Sequence, residues 1–248
     1  MSFALSAAAF VPGLAIGSFL NVVAARVPRK RSIVSPGSAC MSCGHELSWY
    51  ENVPVVSWLA LRGKCKGCGE RIGIVYPAVE LLTALLIAAS FLAFGLSGTS
   101  FVAGFFCAAL VTVSATDLSH RIVPNVVVLP AAAVVLAAMT ALHPSAEWAL
   151  GAFGASFFLF LAALAYPKGM GMGDVKLALL LGAMLGRTVP VALMVGMLAA
   201  LVPSIVLFAR HGSAARKMGI PFAPFLGIGG VVALFFGDEL LDAYLSSF

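Results

Sequence analysis

Charged side chains are scarce in this sequence. Only 10% of the 248 residues are Asp, Glu, Lys or Arg, whereas 61% are hydrophobic. A soluble domain has about 25% charged residues, and so few charges cannot cover a surface that faces water. The composition therefore excludes a soluble globular protein and indicates an α-helical protein of the lipid bilayer.

Several catalytic signatures are also missing. There is no HExxH motif, which excludes the common zinc metalloproteases, and no GxSxG elbow, which excludes an α/β-hydrolase. A glycine-rich dinucleotide loop is absent as well. The net charge is +5, but the basic residues lie between apolar runs and form no continuous patch, so we expect no nucleic-acid partner.

Long apolar runs predict about eight transmembrane helices. A hydrocarbon core of about 30 Å requires roughly 20 apolar residues per helix. The predicted spans lie near residues 3–25, 77–97, 101–116, 122–141, 147–166, 175–187, 189–209 and 222–245. The sixth span is the shortest, and we expect it to be short, tilted or partly re-entrant and shielded by its neighbours.

The basic residues predict the orientation of these helices, because loops rich in Lys and Arg stay on the cytoplasmic side. With the N-terminus outside, inner loops hold 14 of the 15 Lys and Arg residues, and only Arg187 falls outside. The first charged residue is Arg26, after the apolar stretch 1–25. We therefore expect this stretch to be a retained helix rather than a cleaved signal peptide.

The predicted domain organisation has three parts. Residues 1–25 form a first transmembrane helix, residues 26–76 form a small polar cytoplasmic subdomain, and residues 77–248 form a helical membrane domain of about seven helices. The middle part contains eight basic residues and several Gly and Pro turn signals. We expect it to fold outside the bilayer.

Two short motifs in the polar segment, CMSCGHE and CKGCGER, predict a zinc site. Four thiolates satisfy tetrahedral zinc, and a glycine after the second sulfur permits the tight turn. The predicted ligands are Cys40, Cys43, Cys65 and Cys68. Disulfides are the alternative, but a cytoplasmic location disfavours them. His45 is a possible spare ligand, and Cys107, alone in an apolar run, is interpreted as a packing residue.

The acidic residues separate into two groups on this topology. Seven of them fall at the outer ends of predicted helices or in the polar subdomain, where water can reach them: Glu46, Glu51, Glu70, Glu147, Asp238, Glu239 and Asp242. The other three, Glu80, Asp117 and Asp174, lie near the inner ends of predicted helices. We interpret Glu80 as an interfacial or structural acid and assign it no chemistry.

Asp117 and Asp174 are the candidate catalytic pair. Both are predicted at the same depth and on the same face, and two carboxyl groups that share a site hold one proton near neutral pH. Such a pair can activate water and protonate a carbonyl oxygen. Gly171 and Gly173 tolerate unusual backbone angles and leave room for an extended substrate.

Two further interpretations concern the same acids. Helix position favours a charged Asp174 at a helix N-terminus and a protonated Asp117 at a C-terminus. Each acid also has a simpler interpretation, in which Asp117 caps a helix or pairs with Arg121 and Asp174 is a dipole partner beside Lys176. The joint occurrence of both acids with the glycines favours catalysis.

Several motifs together resemble those of the bacterial prepilin peptidases, or type IV leader peptidases. They are GSFLNVVAARVPR, the paired C-x-x-C turns, RGKCKGCG before YPAVELLTALL, DLSHRIVPN, GMGDVKL and IPFAPFLG. The resemblance covers nearly the whole chain. It implies an aspartic protease with a GxGD motif, Gly171 to Asp174, similar to the presenilin-type proteases, and Asp117 as the second catalytic aspartate.

The resemblance also implies a function. Members of this family cut the short basic leader from type IV prepilins and type II secretion pseudopilins, after a glycine, at the cytoplasmic face of the bacterial inner membrane. Many then methylate the new N-terminus with S-adenosylmethionine, for which the sequence indicates no binding residues. The alternative function is a proton- or cation-coupled transporter that uses the same aspartates.

Overall fold

The protein is described here by a computed structural model that covers residues 2–166, 170–212 and 219–247. Three of the basic residues that predict the orientation, Lys168, Arg216 and Lys217, lie outside the described residues. The helices are α1 (Ser2–Arg26), α2 (Val56–Ala60), α3 (Val75–Phe94), α4 (Gly98–His120), α5 (Asn125–Leu142), α6 (Glu147–Ala165), α7 (Met172–Leu185), α8 (Val189–His211) and α9 (Ala223–Leu245). Two 3-10 turns cover Trp49–Asn52 and Gly186–Thr188.

The predicted all-α membrane fold is confirmed. Within the described residues, eight long helices match the eight predicted spans, and α2 is a short addition within the polar subdomain. Seven helical segments in this part of the chain are long and apolar enough to cross a bilayer, with Met172–His211 counted as one. The described residues contain no β-strand, only the isolated bridges Ala39 to Glu46 and Lys64 to Arg71.

Two helix ends differ from the prediction in ways that affect the candidate site. The third span extends beyond residue 116 to His120, so Asp117 lies inside the last turn of α4. The sixth begins at Met172 and ends at Leu185, so Asp174 lies in the first turn of α7. Polar residues at a helix end can satisfy its free backbone groups. A prediction based on the length of apolar runs therefore misses terminal helical turns that contain polar residues.

The chain divides into two compact units, Met1–Ala115 and Thr116–Phe248, which we call the N-terminal and C-terminal units. The three-part division into 1–25, 26–76 and 77–248 remains a prediction. Each unit has its own glycine-mediated helix packing.

In the N-terminal unit, α1 and α3 form an antiparallel pair with direct backbone contact. A Cβ added to Gly13 would lie 2.7 Å from the Ala84 Cα, and one added to Gly17 would lie 2.6 Å from the Glu80 Cα. At the end of this interface, the Asn21 side chain donates a hydrogen bond to the Tyr76 carbonyl oxygen at 3.0 Å. The two glycines form a GxxxG motif, which permits this close approach of helices in membranes.

Most of α4 packs within the same unit. Phe101 of α4 meets Phe91 of α3 edge to face, with ring centroids 5.0 Å apart. Nearer the other end of α4, Val111 and Ala115 join a cluster with residues of α1 and α3. Cys107 is fully buried in α4, which confirms its interpretation as a packing residue.

In the C-terminal unit, the short helix α7 lies inside the unit. Its 14 residues span about 21 Å, which is less than the roughly 30 Å hydrocarbon core, and ten of them are buried. A Cβ on Gly151 of α6 would meet the Gly182 carbonyl oxygen at 2.8 Å, and one on Gly182 would clash with the Gly151 backbone. The expectation of a short helix shielded by its neighbours is confirmed.

Helices α8 and α9 form the second close pair of this unit. A Cβ on Gly196 would lie 3.0 Å from the Phe225 carbonyl oxygen, and Gly229 lies directly against the Ala192 carbonyl group. This contact fixes the N-terminal half of α9, whose first residue, Ala223, is fully buried. The pair therefore positions the N-terminus of α9 for the contact with Asp117 described below.

We predict that Gly17→Ala destabilises the protein. The added methyl group meets the α3 backbone rather than a flexible side chain, so the helices must separate, at a cost of about 1–3 kcal/mol. The matched control is Gly154→Ala in α6, where an added Cβ meets nothing within 4 Å. Heating in detergent, followed by helical circular dichroism, should show a lower Tm for Gly17→Ala alone. Equal Tm values would contradict the close packing of α1 on α3.

Candidate metal centre and active site

The four predicted cysteine ligands lie together. Their sulfur atoms are all within 4.8 Å of one another, and no fifth His, Cys, Asp or Glu among the described residues joins the cluster. Two pairs, Cys40 with Cys68 and Cys43 with Cys65, join the two knuckles, and both sulfur distances are 3.9 Å. All four are free thiols, so the structure contradicts the disulfide alternative.

Each knuckle is a small hairpin built in the same way. In the first, the Gly44 N–H donates to the Cys40 carbonyl oxygen and the Cys40 N–H donates to the His45 carbonyl oxygen. The second repeats this pattern around Gly69. Gly44 and Gly69 both have φ of +73°, a left-handed conformation that glycine adopts without strain. The glycine after each cysteine pair is therefore required by the turn.

The sulfur geometry fits tetrahedral zinc. Zn–S bonds of about 2.3 Å place tetrahedral sulfurs about 3.8 Å apart, which agrees with the inter-knuckle sulfur distances of 3.9 Å. The N–H groups of Cys43 and Ser42 lower the pKa of Cys40 to about 6. Backbone amides that face sulfur are typical of such knuckles.

His45 has another partner. Its Nε2 lies 3.1 Å from the Glu51 Oε2, so the ring pairs with a carboxylate. Glu51 is only 6% exposed, and the expectation that water solvates it is wrong. The 3-10 turn that carries Glu51 buries it, and the Ser48 N–H donates a second hydrogen bond to its Oε2 at 2.9 Å.

Glu80 is also buried, and it holds the polar subdomain to α3. Its Oε2 accepts a hydrogen bond of 2.7 Å from the Val55 N–H, and only 8% of the residue is exposed. This contact agrees with the structural role predicted for it.

In the C-terminal unit, Asp117 faces the N-terminus of α9. The residue is 7% exposed, and its Oδ2 accepts a hydrogen bond of 3.1 Å from the Ala223 N–H. Ala223 is the first residue of α9. A helix N-terminus and its free N–H groups stabilise negative charge, so the helix contributed by IPFAPFLG anchors this carboxyl group.

Asp174 lies in the first turn of α7 and is 9% exposed. Its backbone N–H donates to the Gly171 carbonyl oxygen at 3.1 Å, which closes that turn. The carboxyl groups of Asp117 and Asp174 are close enough to interact electrostatically. Asp174 therefore lies in the electrostatic field of a buried acid that is distant in sequence.

The segment after α4 brings the two acids together. Val123 lies against Gly173, where an added Cβ would be 2.8 Å from the Val123 Cβ. One turn further along α7, the Lys176 Nζ donates a hydrogen bond of 2.8 Å to the Asn125 Oδ1. These contacts join the chain that follows Asp117 to the turn that carries Asp174.

Arg121 acts electrostatically on Asp117, but neither acid forms a close ion pair with a basic residue of the described ranges. Among the ion pairs of the described residues, none joins Asp117 to Arg121 within 4.0 Å. Lys176 donates to Asn125 rather than to Asp174. Buried carboxyl groups without a cation at this distance are typical of functional sites rather than of structural ion pairs.

The structure revises two expectations about these residues. Gly171 has φ of −82° and ψ of 147°, and Gly173 lies within α7, so neither uses a backbone angle that requires glycine. Their contribution is space, since a Cβ on Gly171 would sit 3.6 Å from the Asp174 Oδ2. The prediction of a protonated Asp117 rested on its position at the C-terminus of α4 alone. The N-terminus of α9, which favours a charged carboxylate, also faces Asp117.

Comparisons with known proteins agree with this architecture. Residues 11–94 match the bacterial peptidase A24 N-terminal domain, and residues 104–207 match the type IV leader peptidase family. The prepilin leader peptidase/N-methyltransferase of Bacillus subtilis (strain 168) is 37% identical over 95% of this chain and 96% of its own length. The chain belongs to the type IV leader peptidase family.

Relatives of this leader peptidase occur in other bacteria. The prepilin leader peptidase/N-methyltransferase of Xanthomonas campestris is 36% identical over 94% of this chain and 92% of its own length. That of Pseudomonas aeruginosa is 35% identical over 94% of this chain and 91% of its own length. No solved structure matches the chain. Membership in the family makes this chain a multi-pass membrane peptidase.

We predict that Cys40→Ala and Cys65→Ala each release zinc. Removal of one thiolate leaves an incomplete tetrahedral site, and zinc sites of this kind contribute directly to local folding. Metal analysis of purified protein should fall from about one zinc per chain to near zero, with faster proteolysis of the subdomain. Cys107→Ala, outside the cluster, is the control and should retain zinc. Zinc retained in both cluster variants would refute the site.

We predict that Gly173→Ala in this leader peptidase reduces leader cleavage at least tenfold. Its Cβ would collide with Val123, whose β-branched side chain cannot rotate away easily, and the turn that carries Asp174 must shift. The double variant Gly173→Ala/Val123→Gly should recover part of the activity in a timed cleavage assay. Cleavage at the wild-type rate in the single variant would show that this contact does not position Asp174.

Proposed function

We propose that this leader peptidase removes the short basic leader from type IV prepilins or pseudopilins, after a glycine, and then methylates the new N-terminus. The observation that carries the peptidase proposal is the pair of buried carboxyl groups, Asp117 and Asp174. Asp117 acts electrostatically on Asp174, and no cation of the described residues lies within 4.0 Å of either acid. The names of the relatives, which join leader peptidase to N-methyltransferase, support the second activity.

In the proposed hydrolysis, Asp117 and Asp174 hold a single proton between them. The ionised carboxylate accepts a proton from water as the water oxygen attacks the scissile carbonyl carbon. The protonated partner donates to the carbonyl oxygen, which gives a neutral tetrahedral intermediate. Collapse of that intermediate breaks the C–N bond, and a proton passes to the departing amine. No covalent enzyme intermediate is required.

The environment of the acids supports these roles. The Ala223 N–H holds the Asp117 carboxyl group at a fixed position, so the pair does not rely on a mobile side chain. Gly171 places no side chain against the Asp174 Oδ2, where a Cβ would lie 3.6 Å away. We place both acids at the cytoplasmic face of the inner membrane, because the basic loops predict that orientation.

We propose that zinc, held by Cys40, Cys43, Cys65 and Cys68, is a structural ion in this enzyme. The ion would crosslink the two knuckles, because this segment is too small to form a stable hydrophobic core by itself.

In the proposed methylation, the new N-terminal amine of the pilin gains a methyl group from S-adenosylmethionine and loses one proton, while the donor leaves as a neutral thioether.

We predict that Asp117→Asn and Asp174→Asn each reduce leader cleavage about 10³-fold or more, because neither remaining acid can both accept and donate a proton. The double variant should be no worse than either single variant, since the two groups act as a unit. Gel-shift assays and the mass of the product N-terminus measure cleavage, and membrane extraction confirms that each variant is inserted.

The control is Asp242→Asn, an identical change at an exposed acid in α9, which should cleave at the wild-type rate. Cleavage that survives in either Asp117→Asn or Asp174→Asn would refute the catalytic pair. If transport of protons or cations were lost in the same variants while cleavage persisted, the transporter function would replace the peptidase function.

A further inference from the structure

The short helix α2 has an apolar face that is left exposed. Val56 and Leu59 are 60% and 62% exposed, and Ala60 is exposed as well. Residues three and four apart lie on the same side of a helix, so these three residues form one outer face. The opposite side of α2 is packed, since the Trp58 Nε1 donates a hydrogen bond of 3.1 Å to the Ile72 carbonyl oxygen.

Helix α2 lies beside the membrane-spanning helices of its unit rather than beyond their ends. The Val55 N–H, at the start of α2, donates to the Glu80 Oε2 at 2.7 Å. Glu80 follows the first residue of α3 by five positions, which is about 7.5 Å along the helix axis. The packed side of α2 also lines a cavity together with Ser18 and Asn21, which lie within the last three turns of α1.

This location brings the exposed face to the edge of the bilayer. Both α1 and α3 are long and apolar enough to cross a membrane, so lipid surrounds their flanks at the depth that α2 occupies. A short helix with an outward apolar face at this depth is suited to the boundary between lipid headgroups and acyl chains. In water, the same face would leave two large aliphatic side chains uncovered.

Three cations adjoin the apolar face. Arg62 and Lys64 follow α2 directly, and Lys64 pairs with Arg71 in an isolated antiparallel bridge. All three residues are exposed, and none forms an ion pair within 4.0 Å with an acid of the described ranges. Glu70 accepts a hydrogen bond from the Arg71 backbone N–H instead. Like charges opposite each other in such a bridge are destabilising, so an external anion would stabilise this arrangement.

Backbone hydrogen bonds fix the bridge to α2. The Gly63 N–H donates to the Trp58 carbonyl oxygen at 2.8 Å, and the Ile72 N–H donates to the Gly63 carbonyl oxygen at 2.8 Å. The three cations are therefore held next to the C-terminal end of the apolar face. Apolar side chains with adjacent basic residues are typical of helices that bind anionic membranes.

Charge indicates which partner fits this surface. Residues 26–76 contain eight basic and three acidic residues, and a zinc tetrathiolate, which has two negative charges, leaves the segment basic. A second copy of the chain would bring the same cations against this surface, and the basic leader of a pilin would be repelled as well. Anionic lipid headgroups attract basic residues beside a membrane, and the bilayer is already adjacent.

We propose that α2 and the bridge that follows it form an interfacial anchor, which holds the polar subdomain against the adjoining leaflet by contact with anionic lipid. Val56 and Leu59 insert between headgroups and acyl chains, and Arg62, Lys64 and Arg71 bind lipid phosphates. The anchor is independent of the proposed peptidase and methyltransferase functions, because it depends only on α1 and α3 crossing the bilayer.

Fluorescence quenching in nanodiscs tests the depth of α2. Full-length, zinc-loaded Leu59→Trp is compared with Val34→Trp, which changes another exposed apolar residue. Val34 lies in the loop 32–37, which the Arg26 guanidinium holds at the end of α1. Lipids brominated near the headgroup end of the acyl chain quench tryptophans at the interface. We expect the quenching added by Leu59→Trp, relative to the wild type, to be at least three times that added by Val34→Trp.

The position of the bromine tests the lipid class. At one overall composition, the bromine is carried either by phosphatidylglycerol or by phosphatidylcholine, and we expect phosphatidylglycerol to quench Leu59→Trp about twice as strongly. Further substitution by Arg62→Gln, Lys64→Gln and Arg71→Gln should abolish this preference. The matched control removes three charges from the segment after α1 and should retain it: Arg29→Gln, Lys30→Gln and Arg31→Gln.

Zinc content and Tm verify that each variant is folded, and Val56→Trp, on the same face, replaces Leu59→Trp if the latter unfolds. Equal quenching of Leu59→Trp and Val34→Trp would overturn the anchor. A lipid preference that survives the loss of Arg62, Lys64 and Arg71, or that disappears equally in the control, would overturn the role of these cations. A blue shift of Leu59→Trp emission that requires a prepilin or a high protein concentration, without quenching by lipid, would replace lipid by substrate or by a second copy.

Discussion

Backbone contact between helices is the constraint on which this structure depends. Lipid tails are as apolar as leucine, so burial of apolar side chains gives helices little reason to associate in a bilayer. The close pairs here are made where glycine removes the side chain: Gly13 and Gly17 between α1 and α3, Gly151 and Gly182 between α6 and α7, and Gly196 and Gly229 between α8 and α9. Both units use the same device.

The acids acquire their positions from this packing. In the N-terminal unit, Gly17 lies against the Glu80 backbone, so the same contact that joins α1 to α3 positions the acid that binds the Val55 N–H. In the C-terminal unit, α9 is held by α8, and its first N–H reaches Asp117. The positions of these buried acids thus depend on glycines that allow the helices to pack closely.

Much of the fold followed from composition and spacing. Apolar runs of about 20 residues identified the eight long helices, and the two C-x-x-C turns predicted the cysteine cluster, because both patterns are local. The GxxxG motif at Gly13 and Gly17 is a further sequence signal, typical of close helix contact in membranes. The spacing of the glycines does not identify the helix that packs against them. The pairing with α3 is therefore known only from the structure.

The candidate site was only partly predictable for the same reason. Asp117 and Asp174 stood out because isolated acids at apolar helix ends are uncommon, and the resemblance named them as a pair. Their surroundings come from distant segments: Ala223 follows Asp117 by more than a hundred residues, and Val123 reaches Gly173 from another helix connection. Glu51 was predicted to be solvated because a 3-10 turn that buries a residue produces no periodic pattern of apolar residues in the sequence.

The short length of α7 affects how this enzyme responds to its lipid environment. A helix of 14 residues exposed to lipid would thin the bilayer or tilt the protein, but most of α7 is enclosed by protein. Mismatch between protein and bilayer thickness therefore acts on the outer surfaces of longer helices such as α5 and α6 rather than on α7. The position of Asp174 within the C-terminal unit is therefore set by contacts with protein rather than with lipid.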